Sequence, residues 1–252
     1  MFKKLLLMTV LAVMAMSPAA LMAQAEIING FDADSFKPFA YMDENGVPIG
    51  FDIDCVNWIA QKKGLTVSHQ PYAWDSIIEL LQNKNINMIA SGLSVTPERA
   101  ERVAFTIPYW SIKQVVLVAK DSALTLDEVL TGGKKIGLQL GTSDLASMDS
   151  SNGQNGRKYE TVGYTSVDLA AEDVINGRID AVVMNDDRGF AILKNQPLKF
   201  LGYAGIPDED FAYAVSKDDA ELLNALNEGL QELMTDPAWK ELIAKYELDQ
   251  KL

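Results

Sequence analysis

Short apolar runs alternate with longer amphipathic segments along most of the chain. Runs rich in Ile and Val and bounded by turn residues predict strands, whereas apolar positions that recur every three or four residues predict helices. The predicted strands are EIINGF, LTVSHQ, INMIAS, QVVLVAK, KKIGLQLG, KYETVGY, IDAVVMN and FAYAV. The predicted helices are DIDCVNWIAQKK, WDSIIELLQNK and SVDLAAEDVI, of which the first and last end at Gly64 and Gly177. This order is typical of an α/β protein.

Two segments of the chain resemble each other. LLQNKNINMIA and DVINGRIDAVV both run from a helix through an Asn-containing turn into an apolar strand, and they align on Ile86 and Ile179. This weak internal repeat of a βαβ-type unit indicates two lobes of similar design.

The C-terminal segment has a helical pattern that is broken at Pro237, before a last short helix. Its apolar face consists of Leu222, Leu226, Leu230 and Leu233. Strands near residues 113–118 and 211–215 could connect the two lobes, with the C-terminal segment returning to the first lobe. Such a double connection would act as a hinge in a protein that closes on a ligand.

The N-terminus has the parts of a secretory signal peptide. Two lysines precede an apolar run from Leu5 to Met16, and small residues follow as far as Ala25. The apolar run is shorter than the roughly 20 residues that a membrane span needs. We therefore expect residues 1–25 to be removed and the mature protein to be exported to the periplasm.

The chain is acidic and poor in cysteine and histidine. Its formal net charge is −13, and this becomes −15 without the two lysines of the signal segment. An acidic surface repels nucleic acid and anionic lipid, so neither is expected as a partner. Cys55 is the only cysteine, predicted to be buried, and His69 is the only histidine. We expect no intrachain disulfide, zinc site, Ser-His-Asp triad or cofactor.

Four predicted strands run into polar segments where a ligand could bind. In α/β sheets, ligands bind beyond the carboxyl ends of strands, where backbone amides and helix N-termini point. The four segments are DADSFKPF, SGLSVTPER, GTSDLAS and NDDRG. In the second, Ser94 or Thr96 could cap a helix while Arg99 binds a carboxylate. In the third, Thr142 and Ser143 could form a second polar cradle.

Each segment also has a simpler interpretation. A Ser or Thr at a helix start usually only caps the helix, and an early Arg usually faces solvent. The occurrence of four such segments together favours a binding site. Two aromatic residues support it, because Phe36 in a loop and Trp74 just before a helix could stack on a ligand, whereas Phe39 is expected in the core.

These motifs resemble the family 3 extracellular solute-binding proteins, the amino-acid receptors of ABC import systems. The resemblance covers nearly the whole mature chain and rests above all on GFDID, SVTPERAERVAFTIPY and INGRIDAVVMND. It implies an α/β protein with the two-lobed type II periplasmic-binding-protein fold, whose lobes are joined by two hinge strands. The implied lobes are residues 26–112 with 212–252, and residues 113–211.

The resemblance also implies a ligand site between the lobes. Arg99 would bind an α-carboxylate, helped by Ser94 and the backbone of Ser143. Ser91 and Gly92 would bind the amino group and line the pocket. The complete set of expected ligand-binding residues is Phe36, Trp74, Ser91, Gly92, Ser94, Arg99, Thr142, Ser143, Asp144 and Asn185.

At one position the chain departs from the family. The family usually has an aspartate that holds the ligand ammonium five residues after the aspartate of IDA, and here that position is Asn185. Asn185 itself could accept a hydrogen bond from the ammonium, or Asp186 or Asp187 could replace the aspartate through a shifted loop. Otherwise the ligand lacks a free α-ammonium.

The predicted function is a monomeric periplasmic receptor that delivers an amino acid or a related small carboxylate to an ABC permease. It would close about its hinge without chemistry. One alternative is an enzyme on the same scaffold, similar to cyclohexadienyl dehydratase, which would need an acid or base such as Asp144. Another is a soluble ligand-sensing protein that docks on a receptor instead of a permease.

Overall fold

The structure is a computed structural model that describes residues 26–34 and 36–249. The predicted signal peptide lies outside these residues. The described strands are β1 Ile27–Asp32, β2 Tyr41–Met42, β3 Pro48–Ile49, β4 Val67–Tyr72, β5 Met88–Ile89, β6 Ala104–Phe105, β7 Trp110–Ile112, β8 Gln114–Ala119, β9 Lys134–Gln139, β10 Tyr159–Tyr164, β11 Ala181–Asn185, β12 Leu198–Tyr203, β13 Glu209–Phe211 and β14 Ala214–Val215.

The helices of the same residues match the predicted alternation with strands. They are α1 Phe51–Lys63, α2 Ile77–Gln82, α3 Pro97–Arg102, α4 Leu126–Thr131, α5 Ser143–Ser151, α6 Val167–Ile175, α7 Asp186–Leu193, α8 Ala220–Thr235 and α9 Pro237–Lys245. A 3₁₀ turn, Trp74–Ser76, precedes α2. Helices α4 and α7 were not predicted from the sequence, because both are short and begin within polar segments.

Two five-stranded sheets have the same topology. Their strand orders are β4-β1-β5-β14-β6 and β10-β9-β11-β8-β12. In each sheet the central strand is parallel to the second strand and antiparallel to the fourth. Ile86 and Ile179 stand just before the two central strands, β5 and β11. The internal repeat and the two-lobed type II fold are therefore confirmed.

Two antiparallel strands, β7 and β13, connect the sheets, with Ile112 opposite Glu209. The predicted connecting strands near 113–118 and 211–215 are wrong by a few residues. Strand β8 is an interior strand of the second sheet, and β14 is an interior strand of the first. An apolar run as continuous as that of β8 is typical of a strand buried on both faces, not of an exposed hinge. We propose that one lobe comprises residues 26–112 and 212–252 and the other residues 113–211.

The C-terminal helices complete the core of the first lobe. The four leucines predicted to share one face of α8 are all buried there, together with Cys55 and Phe39. Gly229 lets α8 approach α1 closely, because a Cβ at this position would lie 2.4 Å from Ile59 Cγ2. In the second lobe, β8 and β11 lie between two apolar clusters, one on each side of the sheet.

His69 has a structural environment. Its Nδ1 lies 3.0 Å from Asn29 Nδ2, and its Nε2 lies 3.0 Å from Asn57 Oδ1. Burial lowers the pKa of His69 to about 4, so the ring is neutral at pH 7. Within the two described ranges, no group of three or more His, Cys, Asp or Glu side chains could hold a metal ion. None of the described helices is long and apolar enough to cross a bilayer.

Candidate functional site

The four polar segments predicted from the sequence meet at one cavity between the sheets. About 490 Å³ of space there, part of it open to solvent, is not occupied by protein atoms. All ten predicted site residues lie on its wall. The wall also contains eight residues that were not predicted: Asp32, Ile112, Gln114, Gln139, Val167, Met184, Glu209 and Phe211.

Arg99 follows the helix cap as the sequence predicts. Thr96, and not Ser94, caps α3 by accepting a hydrogen bond from Arg99 N at 3.2 Å. The guanidinium donates to the carbonyl of Ser94 at 2.9 Å and to the carbonyl of Gly141 at 3.0 Å. Arg99 forms no ion pair with another described residue. Its remaining N–H groups are available for an anion in the cavity.

The two lobes are in direct contact across the cavity. Besides the bond from Arg99 to Gly141, Gln139 Nε2 donates to Asp32 Oδ2 at 2.8 Å. Gly141 lies against the 3₁₀ turn of the first lobe, where an added Cβ would be 2.7 Å from Asp75 Cα. Only a glycine permits this approach, and its φ of 76° also favours glycine. The structure is therefore in a closed conformation.

The second lobe contributes the N-terminus of α5. The hydroxyl of Thr142 caps this helix by accepting from Leu145 N at 3.4 Å, and it donates to the carbonyl of Gln139 at 2.6 Å. The simpler interpretation, capping, thus accounts for the Thr142 hydroxyl. Ser143 behaves differently, because its hydroxyl donates to Glu209 Oε2 at 2.7 Å on the cavity wall.

Three carboxyl groups share the wall with Arg99. Burial raises the pKa of Asp144 to about 6. Burial also raises the pKa of Asp32, against the hydrogen bond from Gln139. Burial lowers the pKa of Arg99, while the charges of Glu209 and Asp144 raise it. The wall is thus rich in acceptors for a cation.

The position that departs from the family pattern has a structural role. Asn185 caps α7, and its Oδ1 accepts from Arg188 N at 2.9 Å. The cap uses one of the two lone pairs of this oxygen, so the expectation that it also accepts from a ligand ammonium stays a prediction. Asp186 and Asp187 do not line the cavity. Asp187 accepts from Trp110 Nε1 at 2.6 Å, so a shifted loop does not bring it into the site.

The first lobe supplies the aromatic wall. Phe36 is half-buried and stacks on Phe39 at a centroid distance of 5.5 Å. It also covers Gly92, where an added Cβ would be 2.3 Å from the Phe36 ring. Trp74 is buried and lines the same cavity. Both aromatic residues are therefore placed where the sequence predicts a stacking surface.

A buried carboxylate supports the segment that carries Gly92. Asp52 Oδ2 accepts from Gly92 N at 2.6 Å and from the hydroxyl of Tyr109 at 2.8 Å, whereas Asp52 Oδ1 has no partner among the described residues. Burial raises the pKa of Asp52 to about 7. The amide of Gly92 is therefore occupied by the fold. Ser91 is also engaged, because its Oγ accepts from Asp32 N at 3.1 Å.

Two lobes of one topology, closed over a charged cavity, define a ligand-binding protein of the type II periplasmic fold. The chain matches the model of the bacterial extracellular solute-binding proteins, family 3, over residues 27–249. It therefore belongs to this family, as the sequence motifs predict.

Individual relatives cover most of the chain. A probable histidine-binding protein of Neisseria gonorrhoeae is 28% identical over 214 residues, which cover 84% of this chain and 79% of that protein. ABC transporter arginine-binding protein 1 of Escherichia coli K12 is 29% identical over 245 residues, covering 95% and 97%. The solved structure of an ancestral arginine-binding protein bound to arginine has a TM-score of 0.78 at 32% identity, covering 88% and 97%.

Proposed function

We propose that this protein is the receptor of an ABC importer for a cationic amino acid. The observation that carries the proposal is the charge of the cavity wall, where one guanidinium faces three carboxyl groups, Asp32, Asp144 and Glu209. A ligand with one carboxylate and two cationic groups complements such a wall, and buried charges need partners of opposite sign. The names of the histidine- and arginine-binding relatives support this ligand class.

The proposed orientation places the ligand carboxylate on Arg99, near the carbonyl segment of Ser94 and the N-terminus of α5 at Ser143. The ligand side chain then lies against Phe36 and Trp74 and points to Asp32. The charges of Glu209 and Asp144 are among the causes that raise the pKa of Arg99, and that of Asp32 is not. We assign the side-chain cation to Asp32, whose Oδ2 accepts from Gln139 Nε2 at 2.8 Å on the cavity wall.

Titration calorimetry of the protein without residues 1–25 tests the ligand class. L-arginine, L-lysine and L-histidine are compared with L-glutamine and L-glutamate. We expect a cationic amino acid to bind more tightly than either of the other two, and to raise unfolding stability by about 2.7 kcal/mol at 100 times Kd. Tighter binding of L-glutamate than of every cationic amino acid would refute the proposal.

We also propose a cellular location and a protein partner, and we propose that the protein does not catalyse a reaction on its ligand. Residues 1–25 are assigned as the cleaved signal, and the mature protein is assigned as a periplasmic monomer that docks on a permease. The enzyme alternative has one supporting observation, since Asp144 with a pKa of about 6 could donate a proton in the cavity. Recovery of a bound ligand chemically unchanged after long incubation, measured by NMR, supports the receptor, whereas a new product supports the enzyme.

A further inference from the structure

A carboxylate of the hinge itself reaches into the cavity. Glu209 begins β13, and successive side chains of a strand point to opposite faces. Glu209 and Phe211 therefore share the face that lines the cavity, whereas Asp210 faces outwards and accepts from the hydroxyl of Ser111. The strand thus carries one acid into the site and one acid on its exposed side.

Glu209 is fixed beside the proposed carboxylate site. Its Oε2 accepts from Ser143 Oγ at 2.7 Å, and Ser143 is the first residue of α5. The α-nitrogen of an amino acid lies about 2.5 Å from its carboxyl carbon, from standard bond lengths and angles. A ligand whose carboxylate lies between Arg99 and Ser143 must therefore place its ammonium close to the carboxylate of Glu209.

The other acidic groups are less suited to this position. Glu209 exerts the largest charge effect on the Arg99 guanidinium, and Asp144 comes second. Asp144 is buried in the first turn of α5, and this burial raises its pKa to about 6 and so disfavours its charged form. Asp32 is not among the charges that raise the pKa of Arg99, and it already accepts from Gln139 of the other lobe.

We propose that Glu209 holds the α-ammonium of the ligand and so replaces the aspartate that the family usually has at position 185. The inference rests on the proposed function, because it assumes a ligand with an α-amino group. Asn185 caps α7 and carries no charge, so the negative charge that position 185 lacks is supplied from the hinge. Specificity for α-amino acids then depends on a residue outside the motifs that identify the family.

The test is a cycle between one substitution and one ligand change. Glu209→Gln keeps the shape and the bond from Ser143 but removes the negative charge. L-arginine is compared with 5-guanidinopentanoic acid, which has the same side chain and carboxylate without the α-amino group. Asp210→Asn is the matched control, because it removes an equal charge from the neighbouring residue on the exposed face. Dissociation constants are measured by calorimetry, and thermal unfolding of each unliganded variant verifies the fold.

We expect Glu209→Gln to weaken L-arginine binding by about 10- to 150-fold, the range for a hydrogen bond to a charged group. The dissociation constant of 5-guanidinopentanoic acid should change by less than about threefold. Asp210→Asn should leave the dissociation constants of both ligands unchanged. Equal loss for both ligands, or no loss for L-arginine, would overturn the assignment.

A second variant, Asp144→Asn, keeps the assignment open to refutation. If Asp144→Asn weakens binding of L-arginine but not of 5-guanidinopentanoic acid, and Glu209→Gln does not, then Asp144 holds the ammonium and the inference is wrong. Failure of the unsubstituted protein to bind L-arginine or any other cationic amino acid is a separate result. It would refute the proposed function, and the inference with it.

Discussion

Replacement of Gly141 by alanine should prevent full closure of the lobes and should destabilise its own lobe only by the backbone cost of a left-handed alanine. The added Cβ would lie 2.7 Å from Asp75 Cα and 3.3 Å from Asp75 N. Non-bonded carbon atoms prefer separations of about 3.5 Å or more. Because the obstacle is backbone, no side-chain rotation relieves the contact, and the lobes must remain nearly 1 Å further apart.

The cost follows from the two hydrogen bonds that cross the cavity close to this point. Lengthening by about 1 Å takes the bonds from Arg99 to Gly141 and from Gln139 to Asp32 beyond hydrogen-bonding range. In the closed conformation their donor–acceptor distances are 3.0 and 2.8 Å. Each involves a charged group and is worth about 1.5 kcal/mol or more. Loss of about 3 kcal/mol from the closed state raises Kd about 100-fold.

Calorimetry with the tightest-binding amino acid measures this effect. Gly153→Ala is the control, because Gly153 also has a positive φ, 80°, but no heavy atom lies within 4 Å of its added Cβ. Both substitutions share the backbone cost of a left-handed alanine, about 1–2 kcal/mol. Small-angle scattering of the liganded proteins then reports whether the Gly141→Ala variant remains more open.

A ligand affinity of Gly141→Ala within about threefold of that of Gly153→Ala would refute the claim that the added methyl group blocks closure. A second contradictory result is a liganded variant with the same radius of gyration as the unsubstituted protein. If the unliganded variant unfolded far more easily than the control, the methyl group would be acting on the lobe itself and not on closure.

Three further predictions concern the ligand, the pH dependence of stability and the core. Arg99→Lys keeps the charge but loses the planar fork of the guanidinium, so L-arginine binding measured by calorimetry should weaken about 10- to 100-fold. Binding of agmatine, which lacks the carboxylate, should not change. Equal changes for the two ligands would contradict the assignment of the carboxylate to Arg99. The pKa of Asp52 is about 7 in the folded protein and 3.8 as a free group, so the folded state retains this proton to higher pH. Denaturant titrations should therefore show stability falling by about 3 kcal/mol between pH 4 and 7 relative to Asp52→Asn, and parallel curves would argue against this. Gly229→Ala places a methyl group 2.4 Å from Ile59 Cγ2 and should lower the free energy of unfolding by about 1–3 kcal/mol. An increase in the free energy of unfolding, as expected for alanine in an uncrowded helix, would show that α8 moves aside.

Periodic elements of the fold could be read from the sequence. Helix α1 stops at Gly64, which has a left-handed φ of 69°, as the glycine signal predicts. The four leucines of α8 bury together because their spacing repeats with the helix. The weak likeness around Ile86 and Ile179 identified both central strands. These features depend on local patterns, which the sequence contains in full.

The candidate site could be located but not completed from the sequence. The rule of strand ends and helix starts found the segments around Arg99 and Ser143. Glu209 was missed because DEDFAY looks like an exposed acidic stretch, and only pairing of β13 with β7 turns this acid inwards. Asp32 is the last residue of β1 and Gln139 is the last residue of β9, in the other sheet. Their contact forms only when the two lobes meet. Contacts between distant segments depend on tertiary arrangement, which periodicity does not report.

The order of strands along the chain has a consequence for biogenesis. Every strand of the second sheet lies between Gln114 and Tyr203, whereas the first sheet needs β14 and packs against α8, which ends at Thr235. A ribosome delivers the chain from the N-terminus, so the half that is made first can be finished only after nearly all the rest has emerged. Long-range pairing of this kind slows folding. The first lobe of a nascent chain with such a layout therefore stays incomplete until α8 has been synthesised, long after the second sheet can pair.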